Sequence, residues 1–565
     1  MNDLESQSLM PRQFSQSYLL GLLIVFALVW FSNLEYRKLV RPDEGRYAEI
    51  AREMALSGDW VTPRLNDLKY FEKPPLQYWA TAAAFRLFGE SHWGARWWPA
   101  TTTFACVLLM FWTGRRLFDE DVGLSAAAAL GGCLGFVINS HINTLDAGLA
   151  ACLTVGLLGF LRAQHPGATP AENRNWMLVV WVALALAVLS KGLIGVVLPG
   201  AVLALYLLSE RDGQRLTRLH SGKGLVLFLL IAVPWFVAVA LANDEFTRFF
   251  FIHEHFERFL TKAHRREGAW WYFIPILFVG ALPWLPYIFV RVCDGWRHAG
   301  TPGTLQPLRL LLIWAAFIFL FFSASSSKLP SYILPMFPAL ALFAAVEMQR
   351  MTPEMLSRIA WGLAALGGIV LLVVLLGGER IARVYSNATS PFEIVRNYVP
   401  WVQAAAFTFV AGAVAAAWLF RRRTRSAGII ALAFGSLSFG ILMMNGHDEL
   451  SRLSSSYHIV HETEAQHGPF DRATPFYSVR MYDQTLPFYL KRPVTLVQYA
   501  DEFALGLDAE PNKGISRVED WQQRWRELER GYAMLTPDTY EQLVLEGLPM
   551  RLLARDPRRV IVSRQ

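Results

Sequence analysis

The sequence predicts an all-α polytopic membrane domain at residues 1–445 and a small C-terminal α/β domain at residues 446–565. Three observations predict this fold class. The 565 residues are 54% hydrophobic and 18% charged, whereas a soluble globular chain is about 25% charged. Apolar stretches long enough to cross a bilayer recur throughout the first region. The second region is polar and alternates short strand patterns with helical ones.

The apolar stretches predict thirteen transmembrane helices, because a bilayer core needs about 20 mostly apolar residues per helix. They are roughly residues 17–33, 95–114, 123–139, 144–161, 176–190, 192–209, 224–242, 270–290, 309–323, 332–347, 359–377, 399–420 and 427–444. Residues 1–16 are polar, and no small-residue cleavage site follows the first stretch. This pattern predicts a retained helix instead of a signal peptide.

Orientation follows from the connectors, because short loops rich in Lys and Arg stay in the cytoplasm. Every second connector is short and basic; these include 115–116, 211–223, 291–309, 350–358 and 421–425. The N-terminus is then cytoplasmic, and the C-terminal domain lies on the outer face. The outward loops 34–94 and 243–269 are also basic, against this rule, which indicates that they hold an anion. These positions explain the net charge of +7 without nucleic acid.

The first outward loop predicts two short helices. After Gly45, apolar residues recur at intervals of three and four, which is one face of a helix, and Gly58 is the predicted end. A second helix begins at 74–75 and ends at Gly89. Neither is long enough to span a bilayer, so both are expected to lie in the membrane interface. They would place residues 70–73 at the depth of a lipid phosphate.

Charged side chains at the ends of spans are the candidate catalytic groups. Asp43 precedes the first short helix and could be only a helix cap, but the adjacent Glu44 and Arg46 favour handling of a phosphate and a transferred proton. Asp146 lies in a short outward turn, where a carboxylate is a functional candidate and a cap is the alternative. Lys191 lies between two spans, either as a lysine reaching the interface or as a phosphate ligand.

Further cations lie on the same predicted face. Lys328 and Tyr332 occur in an outward turn at the start of the tenth span. The second basic loop holds His253, His255, Arg258, Lys262, Arg265 and Arg266. Lysine and arginine bind phosphate through charge-assisted hydrogen bonds. The predicted topology and the candidate site residues come from different parts of the sequence, and both locate the site on the outer face of the membrane.

Three segments resemble one family of enzymes. Residues 41–50 (RPDEGRYAEI), 71–79 (FEKPPLQYW) and 327–332 (SKLPSY) are similar to those of the lipid A aminoarabinose transferases. These belong to the GT-C glycosyltransferases, which include the protein O-mannosyltransferases. The resemblance implies an inverting transferase of the bacterial inner membrane, active on the periplasmic face. It would move 4-amino-4-deoxy-L-arabinose from undecaprenyl phosphate to lipid A phosphates, which gives resistance to polymyxin and cationic antimicrobial peptides.

The resemblance also implies roles for individual residues. The acidic positions of the family match Asp43 and Asp146. The phosphate-binding and pocket positions match Arg46, Tyr47, Tyr70, Lys73, Lys191, Arg258, Lys328 and Tyr332. The family further suggests a metal, such as zinc, near Glu72 and His253, although a side-chain pair without metal fits these two residues equally well. The sequence itself requires no cofactor.

The polar tail predicts an α/β domain. Its predicted strands are 474–479, 494–497, 532–536, 550–554 and 560–562, and its predicted helices lie near 516–530 and 537–546. The whole sequence contains no nucleotide-binding loop, which favours a lipid-linked donor over a nucleotide sugar.

Two other functions stay open from the sequence. A transporter or flippase also has many spans and buried charges, but internal repeats and interrupted spans are expected there, and neither is evident. A related polyprenyl-phosphate-dependent transferase with a protein or another lipid as acceptor fits the same motifs.

Overall fold

The computed structural model describes residues 15–210, 214–250, 268–290 and 305–564. Its first part is a helical bundle, as the fold class predicts. The helices are α1 (Gln16–Phe31), α2 (Asp43–Ser57), α3 (Leu76–Phe88), α4 (His92–Leu117), α5 (Glu120–Gly131), α6 (Leu134–Ser140), α7 (Leu145–Ala163), α8 (Pro170–Lys191), α9 (Ile194–Glu210), α10 (Gln214–Thr217), α11 (Ser221–Ala242), α12 (Phe273–Gly280), α13 (Pro307–Ala324), α14 (Phe337–Arg350), α15 (Pro353–Tyr385), α16 (Phe392–Arg421) and α17 (Arg425–Gly446). A hairpin of β1 (Arg64–Leu65) and β2 (Leu68–Lys69) joins α2 to α3, and a 3-10 helix, Pro330–Met336, precedes α14.

The chain is a multi-pass membrane protein. Within the described residues, eight helical segments are long and apolar enough to cross a membrane, or nine if α5 and α6 form one bent span. Each of the thirteen predicted spans overlaps helical residues, but α1 and α9 are shorter than a full crossing, so the number thirteen stays a prediction. The helix α7 lies inside the bundle, since 89% of its apolar 18-residue stretch is buried by other parts of the protein.

Two predicted spans are not continuous helices. The span 123–139 is divided into α5 and α6, which meet at an angle of 61°. At the break, Gly132 packs so closely on α17 that a Cβ atom there would lie 2.7 Å from the Cα of Ala433. The span 270–290 is interrupted by a turn at 281–284, where Pro283 lacks the N–H group that a continuing helix needs. Hydropathy does not detect either break.

The two short helices of the first outward loop are confirmed as α2 and α3. Both end at a glycine with positive φ, 74° at Gly58 and 85° at Gly89, a conformation that favours glycine. Ten of the fifteen residues of α2 are buried, against α3 and against the C-terminal domain. Protein therefore covers most of the surface of α2, and the location of α2 and α3 in the membrane interface stays a prediction.

The C-terminal part contains a six-stranded mixed sheet in the order β5-β4-β3-β6-β8-β7. Its elements are α18 (Ser451–Ser454), α19 (Tyr457–His467), β3 (Phe476–Val479), α20 (Leu486–Leu490), β4 (Thr495–Val497), α21 (Ala504–Ala509), β5 (Gly514–Ile515), α22 (Val518–Glu527), β6 (Gly531–Leu535), α23 (Pro537–Leu545), β7 (Arg551–Arg555) and β8 (Val560–Arg564). The strands β5, β4, β3 and β6 are parallel, whereas β6–β8 and β8–β7 are antiparallel pairs. All five predicted strands and both predicted helices are confirmed.

Reporter fusions should place the two ends of α17 on opposite sides of the membrane. A fusion after Arg425 follows a basic connector and should report the cytoplasm, whereas a fusion after Leu450 should report the outer face. A fusion after Arg116, in another basic connector, is the control and should match the first. If the fusions after Arg425 and Leu450 report the same side, α17 does not cross and the C-terminal domain lies in the cytoplasm.

Candidate active site

A solvent-free ion pair anchors the first outward loop to the bundle. The carboxylate of Glu44, in the first turn of α2, accepts hydrogen bonds from Nε and Nη2 of Arg96 in α4 at 2.7 and 2.8 Å. Both side chains are 0% exposed. Two parallel bonds between a guanidinium and a carboxylate are geometrically specific and strong. Burial raises the pKa of Glu44, but Arg96 outweighs burial and brings the pKa down to about 2, so the carboxylate stays charged.

The same ion pair fixes the backbone on both sides of the site. Glu44 Oε1 also accepts a hydrogen bond from the N–H of Asn143, just before α7, at 3.0 Å. Arg96 Nη1 donates to the carbonyl oxygens of Leu34 and Arg37 at 2.8 and 2.7 Å. Protein groups therefore surround the Glu44 carboxylate, which is 0% exposed. It has a positioning role in this structure, and the prediction that it is catalytic needs correction.

Asp43 faces a different environment from Glu44. Its side chain is 35% exposed, and its Oδ1 accepts a hydrogen bond from Arg46 Nη1 at 3.1 Å. Arg46 Nε in turn lies 2.6 Å from Oε2 of Glu502 in the C-terminal domain, an ion pair whose atoms are close but not aligned for a hydrogen bond. Pro42 holds the N-cap position of α2, so the cap interpretation of Asp43 does not fit.

Two buried tyrosines line the same region. Tyr47 and Tyr70 both interact electrostatically with Arg46 and with Glu72. Burial, with a further contribution from Glu72, raises the pKa of Tyr70 well above its ordinary value, so the phenol keeps its proton. Within the described part of the chain, the Tyr70 hydroxyl finds no hydrogen-bond partner. A buried hydroxyl without a partner is costly unless a ligand accepts a hydrogen bond from it, and a phosphate or sugar oxygen could be that acceptor.

A second group of side chains meets at the start of α7. Lys191 Nζ, at the end of α8, donates a hydrogen bond to Asp146 Oδ1 and lies 4.7 Å from the centre of the Tyr332 ring. Ser331 Oγ donates to Asp146 Oδ2 at 2.8 Å. Helices α7 and α8 and the 3-10 helix before α14 therefore bring three of the predicted residues together.

The two groups belong to one site. Asp43 and Lys191 interact electrostatically, and Asn143, which bonds to Glu44, accepts a hydrogen bond on Oδ1 from Gln77 at 2.6 Å. Carboxylates, an arginine, a lysine and phenol groups thus converge where several helices begin or end. The cations can hold a phosphate, and the carboxylates can take a proton or bind a cationic amine.

Lys328 and Lys73 bond to backbone oxygens in this structure. Lys328 Nζ donates to the carbonyl oxygens of Ser323 and Ser325 at 2.8 and 2.7 Å, which satisfies the last turn of α13. The structure therefore gives Lys328 a capping contact where phosphate binding was predicted. Lys73 Nζ donates to the carbonyl oxygen of Glu72 at 2.7 Å.

The predicted residues Arg258 and His253 lie outside the described residues, within 251–267. Glu72 is therefore the only member of the suggested metal pair whose surroundings are known. In the described ranges, no three His, Cys, Asp or Glu side chains are grouped closely enough to hold a metal ion.

Three residues that shape this site, Arg96, Ser331 and Glu502, are not among those predicted from the sequence. Arg96 could have been predicted as a buried ion-pair residue, because an arginine inside an apolar stretch needs a buried partner. Ser331 stands beside the predicted Tyr332 but has no distinguishing pattern. Glu502 lies in the C-terminal domain, and only the folded chain brings it to Arg46.

Two family models match the chain. The model for dolichyl-phosphate-mannose-protein mannosyltransferases matches residues 15–297, half of the chain. The model for the aminoarabinose transferase C-terminal domain matches residues 464–564.

Individual proteins with similar sequences carry the name of the same enzyme. An undecaprenyl phosphate-alpha-4-amino-4-deoxy-L-arabinose arabinosyl transferase of Edwardsiella ictaluri is 31% identical over 63% of this chain and 63% of its own length. The enzyme of the same name from Pseudomonas paraeruginosa is 32% identical over 66% of this chain and 67% of its own. The first of these alignments thus spans less than two thirds of the relative.

A solved structure is similar along nearly the whole chain. The crystal structure of ArnT from Cupriavidus metallidurans bound to undecaprenyl phosphate has a TM-score of 0.91 and 37% sequence identity. The match covers 98% of this chain and 99% of that one.

Replacing Glu44 with Gln should strongly destabilise the protein. The substitution leaves the Arg96 guanidinium buried without a counter-charge, which should lower the free energy of unfolding by about 3–5 kcal/mol. Thermal unfolding in detergent measures this change. The control is Glu393→Gln, which removes one partner of an exposed ion pair with Arg396 and should change stability little. Equal stability of the two variants would contradict the anchoring role of Glu44.

Proposed function

Because the chain belongs to the family of undecaprenyl phosphate-aminoarabinose arabinosyltransferases, we propose that it transfers 4-amino-4-deoxy-L-arabinose from undecaprenyl phosphate to phosphate groups of lipid A. The names of the relatives support the donor, and the similar Cupriavidus metallidurans structure contains undecaprenyl phosphate. Lipid A is the acceptor that the resemblance of residues 41–50, 71–79 and 327–332 to the lipid A aminoarabinose transferases implies.

The observation that carries the proposal is the convergence of Asp43, Arg46, Asp146 and Lys191 at one site. A sugar bound to a lipid phosphate leaves behind a phosphate monoester, whose negative charge needs preorganised cations. In this proposal Lys191 would supply such a charge, and the buried Tyr70 hydroxyl would be a further donor. The site therefore suits the departure of a lipid phosphate.

The proposed reaction is a single displacement at the anomeric carbon of the sugar. An oxygen of the lipid A phosphate forms the new bond to this carbon. The bond between the carbon and the oxygen of undecaprenyl phosphate breaks, and its electron pair stays on the departing phosphate. Attack from the opposite face inverts the configuration.

Asp43 is the group proposed to act on the acceptor. A phosphate monoester is largely ionised at neutral pH because its second pKa is about 6, so the attack needs little help from a strong base. Asp43 would accept the residual acceptor proton or orient the acceptor against the sugar. Asp146, which already holds the ammonium of Lys191, would exchange this contact for the cationic amine of the donor sugar.

The proposed location is the bacterial inner membrane, with the site and the C-terminal domain on the periplasmic face. The basic connectors support this orientation. A cationic sugar on lipid A would reduce its negative charge, which would weaken the binding of polymyxin and of cationic antimicrobial peptides.

Lipid A mass spectrometry tests the proposal most directly. The chain is expressed in a strain that makes the donor but lacks its own transferase, and a pentosamine should then appear on the lipid A phosphates. Unmodified lipid A, with the sugar found on a protein or another lipid, would indicate the sibling transferase. Accumulation of the lipid-linked donor on the outer face without any transfer would indicate a flippase.

The variant Asp43→Asn separates catalysis from folding in the same strain. It keeps the size of the side chain but removes the charge, so the pentosamine signal should fall by about 100-fold or more. Protein level and binding of undecaprenyl phosphate should stay unchanged. Wild-type modification by Asp43→Asn would remove Asp43 from the mechanism.

A further inference from the structure

The C-terminal domain places one buried carboxylate beside the candidate catalytic residues. Glu502 lies in the short 3-10 helix Asp501–Phe503, and its side chain is only 6% exposed. Oε2 lies 2.6 Å from Arg46 Nε, and Oε1 accepts a hydrogen bond from Gln484 Nε2 at 2.8 Å.

Arg46 connects this carboxylate to Asp43. Its Nε faces Glu502, and its Nη1 donates to Asp43 Oδ1 at 3.1 Å. The side chain of Arg46 is 10% exposed, so its guanidinium is largely shielded from water. In such surroundings an ion pair is stronger than at a surface, and a carboxylate without its partner would be costly. Glu502 and Asp43 therefore contact the same guanidinium from two sides.

The protein holds Glu502 in place through contacts on both sides. Phe503 is buried, and its ring packs against Tyr482 at 4.7 Å in an edge-on arrangement. On the side of α2, Gly45 allows the two parts to approach closely. A Cβ atom at Gly45 would lie 2.6 Å from the carbonyl oxygen of Gln484, so only glycine fits without displacing the backbone that carries the partner of Glu502.

A second contact joins the β1–β2 hairpin to the C-terminal domain. Asn66 Nδ2 donates to the carbonyl oxygen of Val494 at 2.7 Å, and the N–H of Val494 donates back to Asn66 Oδ1 at 2.7 Å. The domain therefore contacts the first outward loop at more than one point, and these contacts hold Glu502 beside Arg46.

We propose that Glu502 is a positioning residue of the catalytic centre, which holds Arg46 so that Arg46 orients Asp43 toward the acceptor. The C-terminal domain is then a functional part of the site and not only a cover. This inference rests on the proposed transfer reaction, because it assigns Asp43 its task. It extends that reaction by making the geometry of Asp43 dependent on the last part of the chain.

The test variant is Glu502→Gln in the full-length protein. Glutamine keeps the volume and an oxygen for Gln484 but removes the charge that holds Arg46. The rate constant kcat should fall about 10- to 100-fold, while KM for the donor and the melting temperature stay close to wild type. The matched control is Glu541→Gln, which removes one partner of an exposed ion pair with Arg555 and should leave kcat unchanged.

The variant Arg46→Gln shows whether Glu502 acts through Arg46. If it does, adding Glu502→Gln to Arg46→Gln should lower kcat by less than threefold, because the two residues act as one unit. Full additivity of the two losses, or wild-type kcat in Glu502→Gln, would overturn the proposal.

Hydrogen exchange gives a readout that does not require transfer activity. In Glu502→Gln, exchange should rise in the peptide that covers the start of α2 and stay unchanged in β3, β6 and β8. A rise throughout the C-terminal domain with a lower melting temperature would mean that Glu502 is only structural. If wild-type protein modifies no lipid A while the exchange follows the expected pattern, the proposed function fails but the contact through Arg46 stands.

Discussion

The ion pair between Glu44 and Arg96 is the interaction on which the rest of the site depends. Removing two charges from water costs several kcal/mol per ion, and the structure offsets this cost with two parallel hydrogen bonds and with backbone partners for both side chains. The pair joins the first outward loop, α4 and the segment before α7. The position of Asp43 depends on the anchored first outward loop. The position of Asp146 depends on the anchored segment before α7.

Adjacent carboxylates in one motif have opposite tasks because of helix geometry. Successive residues of a helix point about 100° apart, so Glu44 turns into the bundle while Asp43 turns toward the site. Glu44 is solvent-free, whereas Asp43 keeps 35% of its side chain exposed. The burial of α2 between α3 and the C-terminal domain fixes this orientation. The buried carboxylate of Glu44 fixes the start of α2, whereas the carboxylate of Asp43 stays accessible to a ligand.

Local patterns in the sequence predicted most of the fold. Apolar length located the helices, strand patterns located β3, β4, β6, β7 and β8, and charges at span ends selected Asp43, Asp146 and Lys191, which the structure brings together. The sequence did not predict the contact between Arg46 and Glu502 or the buried role of Glu44. Such pairings join residues distant in the chain, and no local periodicity records them. Breaks within spans were missed because glycine packing and proline leave the average hydropathy unchanged.

A double-mutant cycle on Glu44 and Arg96 tests the central claim most directly. The free energy of unfolding is measured for Glu44→Gln, for Arg96→Gln and for the double variant. If the two side chains anchor the site as one pair, the double variant should lose less unfolding free energy than the two single variants lose together. The difference should be about 1–3 kcal/mol, because neither charge is buried alone in the double variant. Strict additivity would mean that Glu44 and Arg96 stabilise the protein independently and do not act as one anchoring pair.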